Sequence, residues 1–290
     1  MKLAIVTAST DLNRAKPCVE TWRRNSLAPV QLIVVANGTN REMSYYPAED
    51  QILVADTYLG SVSAFRMGVN WALANTDADI IACLHDDVEI HEVGWDRIVL
   101  RHFQRHPACG LAGFGGALGL GADDIYKVPY DPMQLARVHF RSNLVDAESH
   151  GMRSLVPERV ACLDGFSQIG RREFWLGYNG KAPHLSELRH MEALVDERNP
   201  MIGPWTYLEH LGVKHHLYDS LLGAIAKRNC WETWFLPMRC RHLGGATAVG
   251  DPGYQAWAKA QTNGVGDQQF WEEAHRIGYD AFRDVLPLRV

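Results

Sequence analysis

The sequence predicts an α/β fold, a mainly parallel sheet flanked by helices and followed by a C-terminal helical extension. Apolar runs of strand length recur at Lys2–Ala8, Val30–Val35, Gln51–Ala55 and Ile80–Leu84, and strands buried on both faces read as such unbroken runs. Between the third and fourth runs Val62, Phe65, Val69 and Leu73 recur at helical spacing, with Trp71 and Ala72 beside the last. The resulting order of strand, helix, strand, strand, helix, strand is that of a parallel sheet with helices on both faces.

The 290 residues, 47% of them hydrophobic, suffice for one large α/β domain or for one domain with a smaller appendage. The opening Met1–Thr7 is too short for a signal-peptide apolar region and no run approaches a membrane span, so the expected location is cytoplasmic. Six cysteines are scattered without a Cys-x-x-Cys pair, against both a zinc ribbon and a disulfide framework. A net charge of -5 does not suggest a surface that coats nucleic acid, which needs clustered Lys and Arg.

The first strand ends in Thr7-Ala8-Ser9-Thr10, and a helix is expected over Pro17–Asn25. The second ends in Ala36-Asn37-Gly38, where Asn-Gly signals a turn, and the third leads into Asp56. The fourth, Ile80–Leu84, runs into His85-Asp86-Asp87. In an open α/β sheet the carboxyl ends of the strands border the ligand crevice, so Thr7, Ser9, Asn37, Asp56 and His85–Asp87 collect on one side. Backbone extended through Asp87 would put His85 and Asp87 on one face and Asp86 on the other. Asp87 is therefore the first candidate for a metal contact; the alternative is a solvated Asp-Asp turn. The first strand is not followed by Gly-x-Gly-x-x-Gly, which disfavours a simple Rossmann dehydrogenase.

A helix is expected from Gly94-Trp95 to His106, ended by Pro107, then a strand over Leu111–Phe114. Gly115–Gly121, with four glycines, reads as a loop that is either mobile or open to close approach by a ligand. Residues 122–157 give no clear element. Val160–Leu163 reads as a strand meeting Asp164-Gly165, and 176–212 as a long loop with one helix over Ser186–Glu197, the kind of insert that serves as a lid or recognition element. Asp219 opens a helix whose apolar face is Leu221, Leu222, Ile225 and Ala226; it is either a helix cap or a catalytic base. Trp234–Met238 reads as an edge-like strand, followed by His242. From Ala246 a linker leads to a helix over Asp267–Asp284, whose stripe of Phe270, Ala274, Ile277, Ala281 and Val285 would dock on the sheet or on a second subunit as a homo-oligomer.

In order, these landmarks resemble glycosyltransferases of the GT-A fold, specifically the family 2-like group. The resemblance covers roughly residues 1–245 and rests on Thr7-Ala8-Ser9, Val34-Val35-Ala36-Asn37-Gly38-Thr39, Leu59-Gly60 with Arg66-Met67-Gly68-Val69, Leu84-His85-Asp86-Asp87-Val88, Asp164-Gly165 before Arg171-Arg172-Glu173, His216-Leu217-Tyr218-Asp219, and His242. It implies a nucleotide-sugar-binding half over 1–120, an acceptor-binding half over 121–245, and an extension over 246–290. His85-Asp86-Asp87 is similar to the Asp-x-Asp motif, with Asp87 and His242 as ligands of a divalent Mn²⁺ or Mg²⁺. Thr7, Ser9, Asn37, Asp56, Arg66, His85 and Asp86 would then contact the donor, a UDP- or GDP-sugar, and Asp164 and Gly165 the acceptor. Asp219 takes the position of the catalytic base in inverting members, so the implied activity is transfer of a hexosyl or N-acetylhexosaminyl group to an acceptor hydroxyl. Departures stand at His85, Ala36 and Leu221, where the pattern carries acidic residues. The rival expectations are a sugar-nucleotide-binding protein without transferase activity and a nucleotidyltransferase on a related scaffold.

Overall fold

The computed structural model describes residues 1–38, 50–121, 137–145, 151–180, 202–243, 252–264 and 266–290. Its centre is β1 (Leu3–Ser9), buried on both faces and hydrogen-bonded in parallel to β2 (Gln31–Asn37) on one side and β4 (Ile80–Leu84) on the other. β3 (Gln51–Ala55) extends the sheet beyond β2. Beyond β4 come β11 (Ser167–Arg171), β6 (Cys109–Gly113), β12 (Glu232–Phe235) and the short β9 (Glu158–Arg159), giving the order β3-β2-β1-β4-β11-β6-β12-β9. Six of the eight strands run the same way; β11 and β9 oppose them. The expected mixed α/β architecture, a mainly parallel sheet flanked by helices, is what the chain adopts.

The period-2 alternation of the strands sorts the core onto two faces. Ala4, Val6, Ile33, Ile81 and Cys83 pack under α2 (Gly60–Asn75), α5 (Pro204–His210), α6 (Tyr218–Arg228) and α8 (Asp267–Phe282). Leu3, Ile5, Leu32, Val34, Ala82 and Leu84 pack under α1 (Leu12–Asn25) and α3 (Trp95–Arg105). Because β2 lies on one side of β1 and β4 on the other, the chain reverses direction of winding at β1, and the crevice between the carboxyl ends of β1 and β4 is the topological switch point where α/β sheets bind ligands.

Several local expectations are corrected. α1 begins at Leu12, not near Pro17, because the Asp11 carboxylate accepts from the backbone N–H groups of Asn13 and Arg14 and so caps an earlier start. The glycine-rich stretch is not a loop but β7 (Gly115–Leu120), pairing with β8 (Arg137–Ser142), β10 (Cys162–Leu163) and β14 (Leu288–Arg289). What approaches its glycines is protein: a Cβ on Gly115 would lie 2.8 Å from the Phe166 ring, and one on Gly116 2.9 Å from the carbonyl oxygen of Cys162. Trp234 and Phe235 belong to a strand flanked on both sides, by β6 and β9, and not to an edge. The stretch read as a long loop is preceded by α4 (Arg172–Trp175) and contains α5, while the helix expected over Ser186–Glu197 lies outside the described residues. The presumed linker contains α7 (Pro252–Gln261). The α8 stripe meets the chain's own core through Ala274, with Ile277, Ala281 and Val285 packed against it.

Candidate functional site

At the switch point lies a cleft of about 600 Å³, lined by residues from the carboxyl ends of β1, β2 and β4, by Ser61 and Phe65 of α2, by Asp164-Gly165, by His215–Asp219 and by His242. The β4 strand stops at Leu84 and turns, with the N–H of His85 donating to the carbonyl of Phe166 at 3.1 Å and that of Val88 returning to the carbonyl of His85 at 3.3 Å. The separation expected from an extended backbone is thus reached by a turn. Asp86 points to Ser9, whose hydroxyl donates to its Oδ2 at 2.6 Å, and to Arg14, whose Nη2 donates to the same oxygen at 2.8 Å. Asp87 points the other way, toward His85 and His242.

His242 reaches Asp87 because β13 (Cys240–His242) pairs antiparallel with β5 (Val88–Ile90), setting His242 opposite Val88, and the N–H of Leu243 donates to the carbonyl of Asp87 at 2.9 Å. The result is a group of one carboxylate and two imidazoles whose ligand atoms all lie within 4.8 Å of one another, the only such group among the described residues. Oδ1 of Asp87 is 3.2 Å from Nε2 of His242 and 3.9 Å from Nδ1 of His85. That oxygen is buried and makes no hydrogen bond.

The hydrogen bonds around His85 define what its ring presents. Nε2 lies 2.5 Å from the hydroxyl of Tyr218, and that hydroxyl donates to the carbonyl of Gly165 at 3.3 Å. Tyr218 has one proton to give, so His85 Nε2 is the donor in their contact, an assignment that follows from the network. Burial holds the His85 pKa below its ordinary value, with His242 adding to the effect against the pull of Asp87. A neutral ring protonated on Nε2 turns the lone pair of Nδ1 toward Oδ1 of Asp87, so the group presents an imidazole nitrogen and a carboxylate oxygen that could hold a cation together. Burial opposes charge on both Asp87 and His242, yet their mutual attraction wins, lowering the pKa of Asp87 and raising that of His242. Asp86 goes the other way: burial pushes its pKa up despite Arg14.

Tyr218 and Asp219 open α6, whose N-cap is Leu217 in the left-handed region at φ 62°. Asp219 is therefore not the capping residue. Its Oδ1 accepts from the N–H of Ser220 at 2.7 Å, one of the otherwise unpaired first-turn donors, and its Oδ2 is engaged by the guanidinium of Arg137. Arg137, on β8, also donates from Nε to Ser220 Oγ at 2.9 Å and from Nη1 to Asp164 Oδ2 at 3.3 Å. Burial works against its charge, but Asp219 and Asp164 outweigh it and raise its pKa. Gly165 is wedged between these groups; a Cβ there would lie 2.7 Å from the Tyr218 hydroxyl oxygen and 3.2 Å from Asp219 Oδ2.

Of the sequence-selected residues, Asn37, His85, Asp86, Asp87, Asp164, Gly165, Asp219 and His242 border one cleft. Ser9 lies behind Asp86 as its hydrogen-bond donor, and Thr7 is fully buried with its hydroxyl unpartnered. Asp56 is exposed and outside the cleft lining. Arg66 is not in the cleft either, because Glu209 of α5 holds its guanidinium at 3.1 Å. The cations lining the cleft are instead Arg14 and Arg137, which carried no signal in the sequence: Arg14 lies in the first turn of α1, ahead of the start expected for that helix, and Arg137 stands in a stretch without periodicity. Tyr218 was likewise overlooked beside Asp219. Trp271 and His275 of α8 also border the cleft, with Trp271 stacked on His216 at 3.9 Å between ring centroids.

No protein-family model matches the chain, and no curated protein matches it. Among solved structures it is similar to A197 from STIV, at 11% identity over 84% of this chain and 87% of that one, with a TM-score of 0.41. It is also similar to the mannosyltransferase PcManGT from Pyrobaculum calidifontis, solved in complex with GDP-Man and Mn²⁺, at 14% identity over 96% of this chain and 69% of that one, with a TM-score of 0.43. At those values neither likeness identifies an activity. Among the described residues no helix is long and apolar enough to cross a membrane.

Proposed function

We propose that the chain is a metal-dependent glycosyltransferase of the GT-A type, moving a sugar from a nucleotide-diphosphate sugar to an acceptor hydroxyl with inversion. The observation that carries this reading is the buried Oδ1 of Asp87, which makes no hydrogen bond and faces both the lone pair of His85 Nδ1 and the ring of His242, in one cleft with the carboxylate of Asp219. His85, Asp87 and His242 would hold the cation. A set of two imidazoles and one carboxylate suits Mn²⁺ better than Mg²⁺, which prefers oxygen ligands and keeps its waters. Such an ion supplies charge neutralisation to a departing diphosphate.

The chain's own groups account for the rest. The Tyr218 hydroxyl fixes the tautomer and angle of His85, as partners behind a metal ligand do. Ser9 and Arg14 fix Asp86, and the N–H of Ser220 orients Asp219. Asp219 takes the proton of the acceptor hydroxyl as its oxygen attacks the anomeric carbon, which is general-base catalysis. Asn37 and the neighbouring strand ends would receive the base and ribose, a UDP- or GDP-sugar being the donor, while Asp164 borders the acceptor side. In this reading residues 1–120 form the donor half, 121–245 the acceptor half and 246–290 an extension that contributes Trp271 and His275 to the cleft wall.

The test is turnover of a panel of nucleotide sugars with Mn²⁺. Asp87→Ala and excess chelator should each abolish donor consumption, and Asp219→Asn should cut transfer by about 10²-fold or more while the donor still binds. Full activity in chelator would refute the metal assignment, and unchanged transfer by Asp219→Asn would refute the base. A sugar-nucleotide-binding protein without transfer is the second reading, favoured by one observation: Asp219 is tied to Arg137. Donor binding with neither transfer nor hydrolysis would establish it.

A further inference from the structure

That tie is itself informative. A carboxylate that must gain a proton is poorly placed against a full positive charge, since protonation forfeits the attraction between them. In the described cleft Arg137 satisfies Asp219, Asp164 and Ser220 together, so the guanidinium neutralises two carboxylates that otherwise face the same cavity. Arg14, the other cation of the lining, is bound to Asp86 on the far side of the His85–Asp87 turn. An anion entering the cleft therefore meets one cation held by the candidate base and another held by the residue next to the candidate metal ligand. The first of these has a function in its displacement. Gly165 and Tyr218 connect the two regions, since the Tyr218 hydroxyl contacts both His85 and the Gly165 carbonyl while Gly165 abuts Asp219.

We propose that Arg137 is a positioning residue that clamps the Asp219 carboxylate in the donor-free protein and transfers its hydrogen bonds to the diphosphate of an arriving donor, so that the base is released only when the donor is in place. This rests on the glycosyltransferase reading and names the order of events within it. With Arg137 turned to the diphosphate, Asp219 Oδ2 accepts the proton of the acceptor hydroxyl, the acceptor oxygen forms the bond to the anomeric carbon, and the bond from that carbon to the diphosphate oxygen breaks with its electron pair leaving on the nucleoside diphosphate. In the donor-free state the clamp withholds the base from water that enters the open cleft.

The clamp makes a binding prediction that needs no turnover. Asp219 and the diphosphate compete for one guanidinium, so removing the competitor should strengthen diphosphate binding only while Arg137 is present. Binding of UDP, GDP and inorganic pyrophosphate with Mn²⁺ is measured by calorimetry for the wild type, Asp219→Asn, Arg137→Gln, Arg137→Lys and the Asp219→Asn/Arg137→Gln double variant, each checked for native circular dichroism. Asp219→Asn should tighten binding of at least one of these probes by about fivefold or more in the wild-type background, the lower end of typical coupling between sites, and by less than about twofold in the Arg137→Gln background. Arg137→Lys should retain part of the coupling.

Equal tightening in both backgrounds would show simple removal of a repelling charge and overturn the clamp, as would no tightening in either. If Arg137→Gln does not fold, the Arg137→Lys background decides by the same criterion, undiminished coupling with the shorter-reaching monodentate lysine counting against the clamp. Failure of all three probes to bind the wild type would overturn the donor reading and the clamp together, whereas binding without coupling overturns the clamp alone.

Discussion

Gly165→Ala is a one-carbon test of whether Asp219 and the group of His85, Asp87 and His242 are mechanically joined. The added Cβ would lie 2.7 Å from the Tyr218 hydroxyl oxygen, closer than real Cβ contacts come, and 3.2 Å from Asp219 Oδ2. Tyr218 is 5% exposed and its hydroxyl is held 2.5 Å from His85 Nε2, so the ring has little room to retreat without giving up that contact. Overpacking of this size costs about 1–3 kcal/mol. Loss of the partner behind His85 should weaken Mn²⁺ about 10- to 100-fold. Chemical denaturation reads the first quantity, and Mn²⁺ titration followed by electron paramagnetic resonance reads the second. The double variant Gly165→Ala/Tyr218→Phe removes the oxygen that the methyl group meets, so it should recover most of the stability while its Mn²⁺ affinity stays low. Wild-type Mn²⁺ affinity in Gly165→Ala, or no recovery of stability in the double variant, would refute the reasoning.

Two further predictions concern the opposite face of the sheet. His102 is buried on α3, stacked on His106 at 4.4 Å between ring centroids, and burial, with the charges of His106 and Arg171, lowers its pKa from 6.5 to about 4. The folded state therefore refuses a proton that the unfolded chain accepts, so stability should fall as pH drops below 6.5 and level off near 4, a loss of about 3 kcal/mol; His102→Leu should flatten this part of the pH–stability curve, and an unchanged slope would contradict the assignment. The Asp96 carboxylate, 1% exposed, accepts from the N–H groups of Leu27 at 2.9 Å and Ala28 at 3.1 Å, fastening the loop after α1 to the start of α3. Asp96→Ala should cost about 2–4 kcal/mol in urea unfolding through the loss of two charge-assisted hydrogen bonds, and a change under 1 kcal/mol would show that water replaces them without penalty.

The strands of the first half were legible because their signal is local. Five consecutive apolar residues at Ile80–Leu84, buried on both faces, leave no other reading, and the position of Asn37 or His85 at a strand's carboxyl end follows directly. The glycine-rich β7 was not legible, because glycine lacks strand propensity and what selects it there is the neighbour: Phe166 and the Cys162 carbonyl leave no space for a side chain. Pro17 misplaced the start of α1 for a related reason. A proline inside a helix weakens it locally, and the Asp11 cap that sets the true start is a single residue whose signal is easily missed beside it.

The site divides along the same line. Asp87, His242 and Asp219 were legible as residue types in order along the chain, and pairing of β13 with β5 is the physical step that turns this order into proximity. Arg66 and Arg137 were not, since which guanidinium enters a cleft depends on which carboxylate holds it, and such pairings join residues far apart in sequence: Arg66 to Glu209 of α5, Arg137 to Asp219 of α6. The exchange alters the chemistry expected of the cleft. A cation supplied by Arg66 would have stood apart from Asp219, whereas Arg137 is bonded to it, so in the proposed reaction a diphosphate could not recruit that charge without also changing the state of Asp219.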